Sequence, residues 1–280
     1  MQIIGGPASQ MLASRIAREL NVNVSLCEFT KFPDGELYTR IVDDIAEEVT
    51  IIQSIVKDSD LINLLQLIDS CESSKRINVV IPYMGYSRQD KRFKHGEPIS
   101  SRAIANTINA DCVFTVNIHE KSTLDYFSCK AIDIDASSLI GDKIVSLDLE
   151  KPLLIAPDEG ALELAKKVSE YIDVEFDYLE KTRISGDKVT IKTKKIDVTG
   201  RDIILIDDMI STGGTMAESI RILSEQRAND VYLMCIHPVL AKNAVLRLFN
   251  AGVKDIFATD SIESAQSSIS LSPILSNYIL

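Results

Sequence analysis

Asp207 and Asp208 close a run of four aliphatic residues, Ile203-Ile204-Leu205-Ile206, and lead into Met209-Ile210-Ser211-Thr212-Gly213-Gly214-Thr215. Successive aliphatics make a buried strand, so both carboxylates stand at its C-terminal end, the side on which open α/β sheets take ligands. A helix is predicted to start near Met216, directly after the glycines. Backbone N–H groups freed by Gly213 and Gly214, with the positive end of that helix, suit a phosphate, and Thr212 and Thr215 add hydroxyl donors. The acidic pair cannot share that phosphate; it suits sugar hydroxyls, or a metal ion beside them. One loop would therefore hold both ends of a sugar phosphate. Gly-Gly alone would be an ordinary strand-to-helix turn with a Thr cap; the aliphatic strand, Asp-Asp and Thr-Gly-Gly-Thr in one register favour the ligand.

Other segments carry groups that could act on phosphates. Four cations, Arg88, Lys91, Arg92 and Lys94, fall within seven residues of an otherwise acidic chain, after a strand that ends near Pro82. A solvated loop explains such a cluster, and so does a polyphosphate site, which needs this local density of charge. Phe32-Pro33-Asp34-Gly35-Glu36 reads as a Pro-Asp-Gly β-turn. His119 follows Asn117-Ile118 at a strand end, where it is a capping or core histidine or a ligand. Asp158, after the aliphatic run that ends at Ala156-Pro157, reads alone as a helix N-cap. Lys181 and Arg183 lie in a polar stretch, 182–198 and its approach, that reads as a hairpin or mobile loop with a solvated edge.

These groups need a scaffold, and the chain repeats one. Short Ile/Val-rich runs at 2–5, 49–54, 77–82, 112–118, 152–156, 203–207, 231–236 and 255–258 alternate with helical periods such as 8–20 and 160–171. That is the pattern of βα units on a mostly parallel sheet, an α/β fold. The pattern restarts near residue 150, which predicts two tandem domains, 1–143 and 144–280. A composition of 45% apolar and 25% charged residues is that of a globular chain. The net charge of −11 repels duplex nucleic acid, so a phosphate-bearing partner must be met in a local basic site. Five cysteines without paired spacing, and no apolar run approaching the 18 residues of a membrane span, lead us to expect a soluble cytoplasmic protein with reduced thiols.

The segment 202–215 resembles the phosphoribosyl diphosphate (PRPP) loop of type I phosphoribosyltransferases and of ribose-phosphate pyrophosphokinases. With Phe32-Pro33-Asp34-Gly35-Glu36 and Tyr86-Ser87-Arg88-Gln89-Asp90, the chain resembles the ribose-phosphate pyrophosphokinase family from Gly5-Gly6 to its end. The resemblance implies two phosphoribosyltransferase-like domains, ATP and ribose 5-phosphate as substrates, Mg²⁺ as cofactor, and PRPP and AMP as products. It implies that Phe32, Asp34 and Glu36 contact ATP from a neighbouring subunit of a homo-oligomer, while Arg88, Gln89, Asp90 and Lys91 hold its base and phosphates. His119 and Asp158 would face the metal. Asp207, Asp208, Ser211, Thr212, Gly213, Gly214 and Thr215 would bind ribose 5-phosphate, and Lys181 and Arg183 would close over the transition state. Three departures stand out: Asn117 and Ser211 each replace an Asp common in the family, and Ala161 replaces a Gly. Two other readings stay open, a phosphoribosyltransferase that consumes PRPP and a non-catalytic regulatory relative.

Overall fold

Alternating strands and helices are what the computed structural model contains; it describes residues 1–185, 188–193 and 197–279, with 180–185 and 188–193 as backbone alone. The chain forms two units. The first comprises Met1–Asp135, Ser261–Glu263 and Ser270–Leu280. Its strands are β1 (Gln2–Gly5), β2 (Val24–Ser25), β3 (Cys27–Lys31), β4 (Leu37–Ile41), β5 (Glu48–Ile52), β6 (Arg76–Ile81), β7 (Cys112–Val116) and β8 (Lys130–Ile134). Six of these make an all-parallel sheet in the order β2-β1-β5-β6-β7-β8, and β3 and β4 pair separately as an antiparallel ribbon. Helices α1 (Gln10–Glu19), α2 (Asp58–Ser70) and α3 (Ser100–Ala105) are the crossovers. The central strands read as continuous aliphatic runs because both faces are covered: Ile51, Ile52, Val79, Val80 and Ile81 are fully buried.

The second unit comprises Ala136–Asp260 and Ser264–Ile269. Strands β9 (Leu153–Ala156), β10 (Phe176–Ser185), β11 (Lys188–Thr193), β12 (Ile203–Met209), β13 (Val231–His237), β14 (Asp255–Thr259) and β15 (Ser267–Ile269) form a sheet ordered β11-β10-β9-β12-β13-β14-β15. All pairings are parallel except that of β10 with β11, which is antiparallel; residues 186, 187 and 194–196 of the stretch 182–198 lie outside the described residues. Helices α4 (Ser137–Val145), α5 (Leu162–Ile172), α6 (Gly214–Glu225) and α7 (Ala244–Asn250) flank it. The expected division at 143/144 falls inside α4. That helix packs on α5 so closely that a Cβ on Gly141 would lie 2.6 Å from the Tyr171 ring, so the whole of α4 belongs to the second unit. The C-terminal helix Ser272–Ile279 packs on α1 and belongs to the first.

The central strand β12 is fixed at its start by Asp202. This buried carboxylate accepts hydrogen bonds from Glu150 N at 2.7 Å, Asn229 Nδ2 at 2.8 Å and Asp230 N at 3.2 Å. Burial of Ile203, Ile204, Leu205 and Ile206 at 0% exposure stabilises the strand by about 1.5–3 kcal/mol each. The strand's far end is thereby delivered to one place in the unit, and that end carries Asp207 and Asp208. No helix among the described residues is long and apolar enough to cross a membrane.

Candidate active site

β12 holds Asp207 and Asp208 at the C-terminal edge of the sheet, with Asp207 in register with Cys235 of β13. Asp207 sits where burial, then the charges of Asp208 and Asp158, all disfavour ionisation, and its carboxyl is pushed up from 3.8 to about 8. Its Oδ1 accepts Asp208 N at 2.8 Å. Burial, reinforced by Asp207, also pushes the Cys235 thiol far up, so this cysteine is an inert wall of the site. The negative charge that Asp208 and Asp158 bring to Asp207 suits a cation or hydroxyl donors better than an anion.

After β12 the chain turns through Ser211 and Thr212 to Gly213, which adopts φ +70° at the N-cap of α6; the helix starts at Gly214, two residues before the start expected at Met216. That left-handed backbone is why glycine is needed here. The N–H groups of Gly213, Gly214 and Thr215 meet no acceptor among the described residues. Unpartnered N–H groups at a helix start are the arrangement that suits an anion, and Thr212, Gly214 and Thr215 are exposed. Ser211, Thr212, Gly213, Gly214 and Thr215 are thus one continuous turn beside the two aspartates.

Asp158 opens the segment after β9. Its side chain accepts Gly160 N at 3.0 Å and caps a short 3-10 turn, Glu159–Ala161, so the capping reading holds. It is also exposed, and its charge reaches Asp207. Lys181 and Arg183 are placed as backbone only, on β10 opposite Ile191 and Val189. Their side chains, on which the catalytic expectation rests, lie outside what the structure describes.

In the first unit, the basic loop follows β6. Gly85 is there because a Cβ would lie 2.3 Å from the Ile55 carbonyl oxygen; Ile55 N donates to Tyr83 O at 2.8 Å and draws the two loops together. Glu97 organises the loop's far half: its carboxylate accepts Phe93 N at 2.8 Å and Lys94 N at 3.0 Å, and its carbonyl accepts Arg92 Nε at 2.9 Å. Arg92 is turned back on the loop, whereas exposed Arg88 has no ion pair among the described residues. Lys91 Nζ stands 5.7 Å from the Phe93 ring centroid. The Oε1 of Gln89 accepts Ser100 Oγ at 2.5 Å and so ties the loop to the start of α3, while Asp90 is half-buried next to it.

Phe32 stands at the tip of the β3–β4 ribbon. Phe32 N donates to Glu36 O at 2.8 Å, Gly35 (φ +98°) donates to Phe32 O at 2.9 Å, and Asp34 Oδ1 accepts Glu36 N at 3.2 Å. The β-turn reading holds, and it leaves Phe32 50% exposed, edge-on to Tyr38 at 5.8 Å. The groove beside it is lined by Tyr38, Ile62, Leu65 and Gln66 and includes no residue of the 88–91 loop. The structure therefore does not bring the two groups of ATP-loop residues together in that groove.

His119 is exposed, and Glu120, not His119, caps the following 3-10 turn by accepting Ser122 N at 3.3 Å; the core and capping alternatives both fail. Its loop is shaped by a residue absent from the sequence reading. Asp133, on β8, accepts Thr115 Oγ1 at 2.7 Å and Ile118 N at 2.9 Å through one oxygen. Burial pushes its carboxyl up. Asn117, at φ +37°, donates to Asp135 Oδ1 at 3.4 Å. The only sequence signal for these carboxylates is the alternation Ile132-Asp133-Ile134-Asp135 at a strand end.

Two parallel-sheet units, one with an acidic pair and a Gly-Gly turn after its central strand, have the architecture of tandem phosphoribosyltransferase-like domains. Residues 1–111 match the N-terminal domain of ribose phosphate pyrophosphokinase, and residues 123–268 match the phosphoribosyl transferase domain. The chain is 62% identical to a ribose-phosphate pyrophosphokinase of Methanosarcina acetivorans over 280 residues, covering all of this chain and 99% of the relative. It is 61% identical to that of Methanosarcina mazei, covering 95% of the relative. The fold is similar to the crystal structure of phosphoribosylpyrophosphate synthetase from Mycobacterium smegmatis, with TM-score 0.85, 29% identity and 99% and 97% of the two chains covered. The chain belongs to the ribose-phosphate pyrophosphokinase family, the first of the three readings its sequence left open.

Proposed function

We propose that the protein transfers the β,γ-diphosphate of ATP to the C1 hydroxyl of ribose 5-phosphate, giving PRPP and AMP. The observation that carries this is the full-length likeness to ribose-phosphate pyrophosphokinases in a chain that keeps both ATP loops and the phosphate turn. In this reading the turn 211–215 takes the 5-phosphate through its unpartnered N–H groups, and Asp207 and Asp208 accept from the ribose hydroxyls. Arg88, Gln89, Asp90 and Lys91 hold the base and phosphates of ATP. Phe32, Asp34 and Glu36 complete that site from a second copy of the chain; the exposure of Phe32 on a ribbon tip, away from the 88–91 loop in its groove, supports this. The N-terminal domain would then supply ATP contacts and the C-terminal domain the acceptor. Five free cysteines fit a reducing cytoplasm.

No cluster of three His, Cys, Asp or Glu among the described residues is arranged to ligate a metal. Mg²⁺ suits such a protein, because it keeps several waters and binds through one or two carboxylates plus substrate phosphates. The charges of Asp208 and Asp158, which add to burial in raising Asp207, favour a cation nearby. Asp158 and His119 are the residues we assign to Mg²⁺, which supplies charge neutralisation on the phosphate oxygens when bound. Attack of the C1 oxygen on the β-phosphorus forms the new P–O bond and breaks the bond to AMP, and the hydroxyl proton leaves to solvent or a nearby carboxylate. The residues' task is in-line positioning and charge stabilisation, with no covalent enzyme intermediate. Lys181 and Arg183 are assigned to the transition-state charge.

The test is product analysis with ATP, ribose 5-phosphate and Mg²⁺. AMP and PRPP in equal amounts support the proposal. ADP as the nucleotide product, or turnover only when PRPP and a base are supplied, defeats it.

A further inference from the structure

Every backbone carbonyl from Ile210 to Gly213 is taken up by a hydrogen-bond donor outside the turn. Ile210 O accepts Leu240 N at 2.9 Å, Ser211 O accepts Ala241 N at 2.9 Å, and Gly213 O accepts Ala217 N at 2.9 Å inside α6. Thr212 O is the exception in kind: its donor is a side chain, the guanidinium of Arg247 on α7. In a trans peptide the carbonyl and the following N–H point in opposite directions, and the described residues include no cis peptide. Holding Thr212 O toward α7 therefore directs Gly213 N–H the other way, away from α7, and it is unpartnered like the N–H groups of Gly214 and Thr215 among the described residues.

The peptide most in need of such a hold is this one. It precedes Gly213, whose φ of +70° and missing side chain make rotation of the adjoining peptide planes cheap. A rotated 212–213 peptide would present an oxygen to an anion in place of a hydrogen. The same helix limits Gly213 from another side, since a Cβ there would meet Leu248 Cγ at 3.2 Å. Arg247 is exposed, and among the described residues the Thr212 carbonyl is the one hydrogen-bond partner of its side chain, so the guanidinium is not engaged in stabilising the core.

We infer that Arg247 is a positioning residue for the acceptor substrate: through the Thr212 carbonyl it fixes the turn's N–H groups in the orientation that receives a phosphate monoester. This rests on the reading that turn 211–215 binds the 5-phosphate of ribose 5-phosphate. Arg247→Met keeps the apolar stem and removes the donor; Arg247→Lys keeps a donor; Thr215→Ala perturbs the turn directly. Arg247→Met should raise KM for ribose 5-phosphate about tenfold, with KM for ATP within twofold and the melting temperature within a few degrees. Arg247→Lys should recover a large part of that loss. In ¹⁵N-glycine-labelled protein, inorganic phosphate should shift the Gly213 and Gly214 amides, and the shift should weaken in Arg247→Met. An unchanged KM for ribose 5-phosphate in Arg247→Met with a raised KM in Thr215→Ala overturns the role of Arg247 and leaves the site reading intact. Unchanged values in both overturn the site reading with it. Parallel changes for both substrates, or no recovery with lysine, reduce Arg247 to a structural residue and also overturn the inference.

Discussion

Replacing Asp207 by asparagine should stabilise the metal-free protein, and the gain should grow as the pH rises. Burial and the charges of Asp208 and Asp158 raise this carboxyl from 3.8 to about 8. In the unfolded chain it titrates near its ordinary value. Between the two values the folded state holds a proton that the unfolded state has lost, so raising the pH favours unfolding, by up to about 1.4 kcal/mol per pH unit for one site. The interval spans about four units, which sets a ceiling of roughly 5–6 kcal/mol. Asp207 and Asp208 share the titration, so a single replacement recovers part of this, on the order of 2 kcal/mol between pH 5 and pH 8. Asparagine keeps the shape and removes the proton equilibrium. At roughly 2–4 °C per kcal/mol, the melting temperature of Asp207→Asn should exceed that of the native protein by about 4–8 °C more at pH 8 than at pH 5. Thermal unfolding in EDTA across that range measures it. Melting curves that stay parallel over the whole interval would refute the argument from burial and convergent charge.

Asp208→Ala should weaken ribose 5-phosphate by about 1.5–3 kcal/mol, the value of a charge-assisted hydrogen bond to a buried hydroxyl, and leave ATP nearly untouched; calorimetric titration of each substrate shows whether both fall together, which would sink the assignment. Lys181→Ala and Arg183→Ala should lower kcat by two orders of magnitude or more, roughly, with ATP affinity preserved. Loss of ATP binding in step with turnover would make them ground-state ligands. Phe32→Ala and Arg88→Ala proteins, each nearly inactive, should regain activity when mixed under subunit exchange; no recovery after verified exchange would place both loops in one chain's site.

The parts of the fold that are legible in the sequence are those that physics makes uniform. Central parallel strands are covered on both faces, so β5, β6, β9, β12 and β13 appear as aliphatic runs, and each lies where such a run stands. Edge elements obey no such rule. Cys27–Lys31, with burial that only alternates, carries Glu28 and Lys31, and Lys130–Ile134 carries Lys130 and Asp133, so ribbon β3–β4 and strand β8 give no apolar run to read. The unit boundary was displaced for a related reason: α4 is short and its partner surface, Tyr171 and Ile172 on α5, lies far along the chain. The site shows the same split. Asp207, Asp208 and Thr212–Thr215 are visible because one strand and one turn carry them all. Asp133 under the His119 loop and Arg247 under the phosphate turn act through backbone groups of distant segments, and no local pattern announces such contacts.

Positional labelling tests the central claim most directly. With [β-³²P]ATP, ribose 5-phosphate and Mg²⁺, transfer of the intact diphosphate moves the label into PRPP and releases unlabelled AMP, which is the result the account predicts. Label that stays with the adenine nucleotide while the sugar gains a phosphate would mean attack at the γ-phosphorus, and would contradict it.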